Sequence, residues 1–291
     1  MFFGSIPALV TPFSAGRVAE DTFAAFLEWQ IVEGSDALVP CGTTGESATL
    51  SRDEHRDVIA QTVRVANRRV PVIAGCGNYS TAVAIELVSA AADVGADAAL
   101  VVVPYYNKPS QAGLVAHFTA IADASPLPIV VYNVPSRTVA DISVETLAAV
   151  AKHPRIVAIK DATGNLARVS AQRLECGETF VQLSGNDDMA LGFNAMGGVG
   201  CISVTANVAP RLCSDFQKAT REGRWDDALK LQDKLYPLHA ALFTDASPGP
   251  TKYALSRVRQ GFPSELRLPL VEPSDASKRA VDAALEHAGL I

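Results

Sequence analysis

Lys160 ends an apolar run, Ile156–Ile159, and is followed by Asp161, Ala162, Thr163, Gly164 and Asn165, the residue types of a turn. Desolvation in a partly apolar mouth disfavours an ammonium and frees the neutral amine. A neutral amine adds to a ketone or aldehyde and gives a Schiff base. The bland alternatives are a lysine that snorkels to solvent or one that pairs with Asp161. Strand position alone does not separate these readings. Tyr132 ends a second apolar run and can pass a proton to or from a carbinolamine, or serve as a core aromatic with a wet hydroxyl. Thr43 and Thr44 sit between Gly42 and Gly45, in a turn that can aim backbone N–H groups at a carboxylate while the hydroxyls relay protons. Arg137 follows Pro135, and its planar fork suits a substrate carboxylate; the alternative is an exposed loop arginine.

The elements that must position these residues are short β-branched runs at Ile6–Val10, Ala37–Val39, Val70–Ala74, Ala98–Val103, Ile129–Tyr132, Ile156–Lys160, Phe180–Ser184 and Gly200–Val204. Most are continuous rather than alternating, as in strands buried on both faces of a parallel sheet. Helical patterns lie between them at 21–33, 51–66, 80–94, 111–124, 143–152 and 165–174, and Ser51 with Glu54 has capping-box spacing. This alternation predicts an α/β fold, a closed (β/α)8 TIM barrel, over an open doubly wound sheet, because Val10 leads into Thr-Pro-Phe and no GxGxxG turn. Helical patterns at 211–222, 225–243, 250–259 and 276–288 follow without strands. The expected organisation is a barrel over 1–224 carrying the active site, with a C-terminal helical extension over 225–291 packed on it.

Barrel active sites gather at the C-terminal strand ends. There the sequence collects hydroxyls, one arginine and one lysine, without a cluster of histidines or carboxylates. Metal-assisted hydrolysis and a Ser/His/Asp triad are therefore poorly supported. His117, His153, His239 and His287 are scattered and read as surface or satisfied core residues, and Trp29 and Trp225 as packing. The glycines of Gly197–Gly200 are read as easing a crowded strand entry rather than cradling a phosphate.

A net charge of −6 argues against binding nucleic acid through its phosphates. The five cysteines form no CxxC pair, which suits reduced thiols in a cytoplasmic protein. The apolar N-terminus lacks a basic segment and is broken by prolines, so it reads as a first strand, and no run is long enough to span a bilayer.

The stretches GTTGESATL, PYYNKPSQAGL, VYNVPSRT, IKDATGN and GCISVTAN together resemble the 4-hydroxy-tetrahydrodipicolinate (dihydrodipicolinate) synthase family, over nearly the whole chain. The lysine and the YNxP stretch are shared with the wider pyruvate-dependent class I aldolase and N-acetylneuraminate lyase superfamily; the SRT after YNVP is more discriminating. The resemblance implies a Schiff-base condensation of pyruvate with L-aspartate 4-semialdehyde followed by cyclisation, an early step towards lysine and diaminopimelate. It implies that Lys160 forms the imine, that Thr43 and Thr44 bind the pyruvate carboxylate, and that Arg137 holds the semialdehyde carboxylate. Tyr132 becomes the central proton-transfer group, linked through Thr44 to Tyr106 of a neighbouring subunit, with Gly185 and the backbone of Ile202 helping to shape the site. The implied assembly is a homotetramer of two tight dimers, with no metal and no cofactor beyond the covalent imine. A related aldolase or lyase acting on a sugar acid or hydroxy-oxoglutarate is the alternative, and a keto-acid-binding module without turnover is a third.

One departure concerns regulation. Lysine-inhibited members of the family hold lysine at the dimer interface, with a glutamate on its ammonium. Val83 stands at that position, Arg52 replaces a histidine and Tyr79 an asparagine, while Ser47, His55 and Tyr105 remain. The expectation is weak or absent lysine inhibition.

Overall fold

The computed structural model describes residues 2–291. The strands are β1 (Gly4–Pro7), β2 (Phe13–Ser14), β3 (Arg17–Val18), β4 (Ile73–Gly75), β5 (Ala98–Val102), β6 (Ile129–Asn133), β7 (Ile156–Asp161), β8 (Val181–Ser184) and β9 (Gly200–Ser203). β2 and β3 form a small hairpin, and the other seven lie parallel in the order β1-β9-β8-β7-β6-β5-β4. The gap between β1 and β4 is closed by Leu38 and Val39. Val39 N–H donates to Pro7 O at 3.1 Å and Leu9 N–H to Val39 O at 2.9 Å; on the other side Leu38 N–H donates to Pro71 O and Ile73 N–H to Leu38 O, both at 2.9 Å. The eighth stave predicted at Ala37–Val39 is thus two isolated bridges. Pro40 brings no N–H to prolong the ladder, and Cys41 turns away with φ at 57°.

Alternation along the staves divides two apolar layers. Val130, Tyr132 and Ala158 face the barrel interior with Ile6, Leu183 and Ile202. Val131, Ile159 and Val101 face outward, under the helices, with Phe118 and Leu147. Both layers are apolar, so the strands read as continuous runs in the sequence. In β7 the same parity puts Lys160 inside, beside Tyr132, and Asp161 outside.

Helices between the staves begin where the sequence signals them. Ser51 caps Arg52–Ala66 with Glu54 completing the box, and Ser110 and Ser143 cap Gln111–Ala124 and Val144–Ala151. Beyond β9, helix Trp225–Ala241 packs against Pro210–Arg221 and Asp275–Ala288. Two short helices, Pro135–Thr138 and Ala190–Ala195, were not predicted; each is only a turn or so long and carries no apolar period.

A buried ion pair joins this C-terminal part to the turn at 42–46. Lys252 Nζ meets Glu46 Oε1 at 2.5 Å, with their side chains 0% and 1% exposed. The ammonium also donates to Glu265 O at 2.8 Å and lies 4.2 Å from the centroid of the Phe13 ring. Burial pulls the Lys252 ammonium below its ordinary range, and Glu46 opposes that shift. The second Glu46 oxygen accepts from Arg267 N–H at 3.0 Å, and the Arg267 guanidinium grips Glu54 through its two terminal nitrogens.

Removing one partner of such a pair leaves an unpaired buried charge. Lys252→Ala is expected to lower unfolding free energy by about 3–5 kcal/mol in urea titrations. Arg267 holds the Glu54 carboxyl down from 4.5 to about 2. A lowered carboxylate contributes stability above its unfolded value, and that stability drains as pH falls from about 4.5 towards 2. Glu54→Gln should flatten this part of the acid unfolding profile, by on the order of 1–2 kcal/mol after solvent screening.

Candidate active site

A cavity of about 430 Å³ opens at the C-terminal ends of the staves and is lined by Thr43, Thr44, Tyr132, Arg137, Lys160 and Gly185 among others. Six of the predicted site residues are therefore in one place. Tyr132 and Lys160 are register partners on β6 and β7, so their side chains lie side by side. Lys160 is 94% buried by virtue of its 6% exposure, and its Nζ stands 4.2 Å from the Tyr132 ring centroid.

The two bland readings of Lys160 fall here. It does not snorkel, and Asp161 does not hold it. The Asp161 carboxylate accepts from Thr163 N–H and hydroxyl at 2.9 and 2.6 Å, from Gln172 at 2.7 Å and from Arg168 at 3.2 Å. Asp161 thereby ties the β7 end to the helix Ala167–Cys176 in the outer layer.

The 42–46 turn closes with Gly45 N–H to Gly42 O and Glu46 N–H to Thr43 O, both at 3.1 Å. The N–H groups of Thr43 and Thr44 take no partner among the described residues and remain available to an anion. Glu46 adopts φ of 54° to complete the turn, a conformation that its buried bond to Lys252 holds. Gly185 has a steric role: a Cβ there would lie 2.6 Å from Ala162 Cβ and 3.1 Å from Lys160 Cε.

Two predicted residues are not on the lining. Ile202 is fully buried in the interior layer and is not on the cavity lining. Tyr106 is 95% exposed, with φ of 69°, and does not reach this chain's own cavity. Beside it Tyr79 and Tyr105 meet edge to face at 5.3 Å. Of the other residues marked for regulation, Arg52 pairs with Glu86 at 3.6 Å, His55 is buried with Nε2 donating to Gly75 O at 2.7 Å, and Ser47 and Val83 are half-buried.

The structure corrects one sequence expectation. Carboxylates and an imidazole do reach the site: Asp187, Asp188 and His239 line the cavity, with Ala240, Phe243 and Ser247. Asp187 accepts from Ser203 Oγ, from Val204 N–H at 2.9 Å and from Thr205 N–H at 3.2 Å. His239 comes from the helix after the barrel, where no local spacing announced it. Among the described residues no group of side chains has the make-up of a metal site.

A closed parallel barrel with a buried lysine at a stave end, ringed by hydroxyls, defines an enzyme of the class I aldolase type. Comparison narrows this. Residues 1–288 match the model of the dihydrodipicolinate synthetase family, and the chain belongs to it. It is 66% identical over 290 residues to the 4-hydroxy-tetrahydrodipicolinate synthase of Rhizorhabdus wittichii and 64% identical over 291 to that of Zymomonas mobilis, covering 100% of each chain in both cases. Among solved structures, the chloride-inhibited dihydrodipicolinate synthase of Acinetobacter baumannii, in complex with pyruvate, superposes with a TM-score of 0.97 at 43% identity, with 100% of both chains covered.

Gly185→Ala is expected to push Lys160 from its place while leaving the barrel folded. A shift of about 1 Å in a reacting group can cost about 10²-fold, so borohydride trapping of a keto-acid imine should fall by that order at unchanged circular dichroism.

Proposed function

We propose that the chain catalyses the 4-hydroxy-tetrahydrodipicolinate synthase reaction, joining pyruvate to L-aspartate 4-semialdehyde. Family membership supports the reaction, and the observation that carries the residue roles is the buried Lys160–Tyr132 pair in one cavity with Arg137. Lys160 adds to the pyruvate ketone, and loss of water gives a protonated imine. That imine is an electron sink, so a methyl proton leaves and an enamine forms. The enamine carbon attacks the aldehyde of the second substrate. The substrate amine then adds to the imine carbon, closes a six-membered ring and expels Lys160.

In this reading Tyr132 passes protons at the carbinolamine, and the N–H groups and hydroxyls of Thr43 and Thr44 hold the pyruvate carboxylate. Arg137, exposed at the cavity mouth, takes the carboxylate of the semialdehyde. The covalent imine does the work of a cofactor. Tyr106 acts in the cavity of a second copy, which suits its exposure and its distance from its own site, and the assembly is a homotetramer. A solved monomeric variant of a dihydrodipicolinate synthase, 37% identical to this chain, makes the oligomeric state a measurement to take. The barrel runs to residue 224, and 225–291 form an extension that supplies part of the cavity wall. The five free thiols suit the cytoplasm.

The test is pyruvate consumption by the purified chain with and without the semialdehyde. Consumption is expected only with both, and should vanish in Lys160→Ala. Arg137→Ala should raise KM for the semialdehyde more than for pyruvate; turnover of sugar acids with indifference to Arg137 would favour the alternative aldolases.

Regulation follows the same logic. A hydrogen bond to a charged group contributes about 1.5–3 kcal/mol, and Val83 cannot supply one to a lysine ammonium. Arg52 adds a cation, although Glu86 partly offsets it. Lysine should leave the rate nearly unchanged at millimolar concentration; half-inhibition below that range would overturn this expectation.

A further inference from the structure

His239 is 5% exposed and borders the catalytic cavity, although it lies beyond the barrel, on helix Trp225–Ala241. Its Nδ1 meets Thr205 Oγ1 at 2.8 Å. Thr205 N–H donates to Asp187, whose carboxylate also takes Val204 N–H and Ser203 Oγ. Asp187 belongs to the segment Gly185–Asp188, and Gly185 backs Lys160 so closely that a Cβ on it would stand only 3.1 Å from Lys160 Cε. The same helix reaches this segment a second time, where Gln232 Nε2 donates to Asp188 O at 3.2 Å. A cavity of about 10 Å³ lies beside Asp187, lined by Ser5, Ser203 and His239 together with Cys201, Phe216 and Leu235.

We propose that His239 is a positioning residue of this site: through Thr205 and Asp187 it sets the Gly185–Asp188 wall and thereby the place of Lys160. The proposal rests on Lys160 being the imine-forming residue. Burial disfavours the imidazolium, with Asp187 and Asp188 opposing, and a neutral ring lets the Thr205 hydroxyl donate to Nδ1. The bond needs an acceptor or donor at that point, not an imidazole as such. This separates positioning from proton transfer by His239 itself.

The experiment compares His239→Leu, Thr205→Val, the double variant and His239→Asn, whose amide can still meet Thr205. Two readouts are taken on the full chain: borohydride trapping of pyruvate, read by intact mass, and acetic anhydride labelling of Lys160, mapped on peptides. Each single apolar variant should slow trapping about tenfold or more, with KM for pyruvate less affected than the trapping rate. The double variant should be no slower than the slower single, because both break one connection. His239→Asn should recover most of the rate. Losses that multiply in the double variant, or trapping and labelling at the parent rate in both singles, would overturn the proposal. If His239→Leu fails to fold, Thr205→Val alone decides by the same readouts. If the parent chain itself traps no pyruvate, the Schiff-base reading falls, while Lys160 labelling still reports whether these variants move the lysine.

Discussion

The contact on which the site depends is the buried pair of Lys252 and Glu46, sealed at 0% and 1% side-chain exposure. Desolvating two charges is costly, and their attraction repays it only when every remaining donor and acceptor is used. Here Lys252 also serves Glu265 O and lies over the Phe13 ring, and Glu46 also takes Arg267 N–H. The pair contributes direction more than stability. It pulls the end of the 42–46 turn into the protein, while Thr43 and Thr44, whose N–H groups take no partner among the described residues, line the cavity. An apolar pair of equal volume would fill the space without fixing which way the turn points.

A second constraint is strand parity. Lys160 and Asp161 are neighbours in sequence and opposite in fate. One enters the barrel beside Tyr132, in a layer of apolar residues; the other leaves it and spends its carboxylate on Thr163, Gln172 and Arg168. The lysine is thus buried without a neutralising acid from its own strand end. A one-residue slip of β7 would exchange the two and remove the chemistry while leaving the composition of both layers nearly unchanged.

Much of this was legible in the sequence, for local reasons. Continuous β-branched runs marked the staves, serines marked helix starts, and the residue types at stave ends marked Lys160, Tyr132, Thr43, Thr44 and Arg137. Parity in β7 was hidden because both faces are apolar. The closing stave at Leu38–Val39 was overestimated, since its partners lie on two distant strands and Pro40 shortens it. Glu46 appeared only as part of a turn, because its partner Lys252 lies 206 residues on. His239 was set aside for the same reason: Thr205 is 34 residues away and no spacing links them. Long-range polar pairings carry no period and leave no mark that a window can detect.

The late position of these partners has a consequence for the life of the chain on the ribosome. By the time residue 203 has emerged, the sequence of every stave has been made, including Lys160 and Tyr132, which pair in register in the finished fold. The wall bearing His239, Phe243 and Ser247 and the anchor at Lys252 are still unmade. Domains fold as units from the N-terminal side during synthesis. Lys160 is therefore synthesised before the groups that line its surroundings, and a fragment released before residue 239 would carry the lysine without that wall.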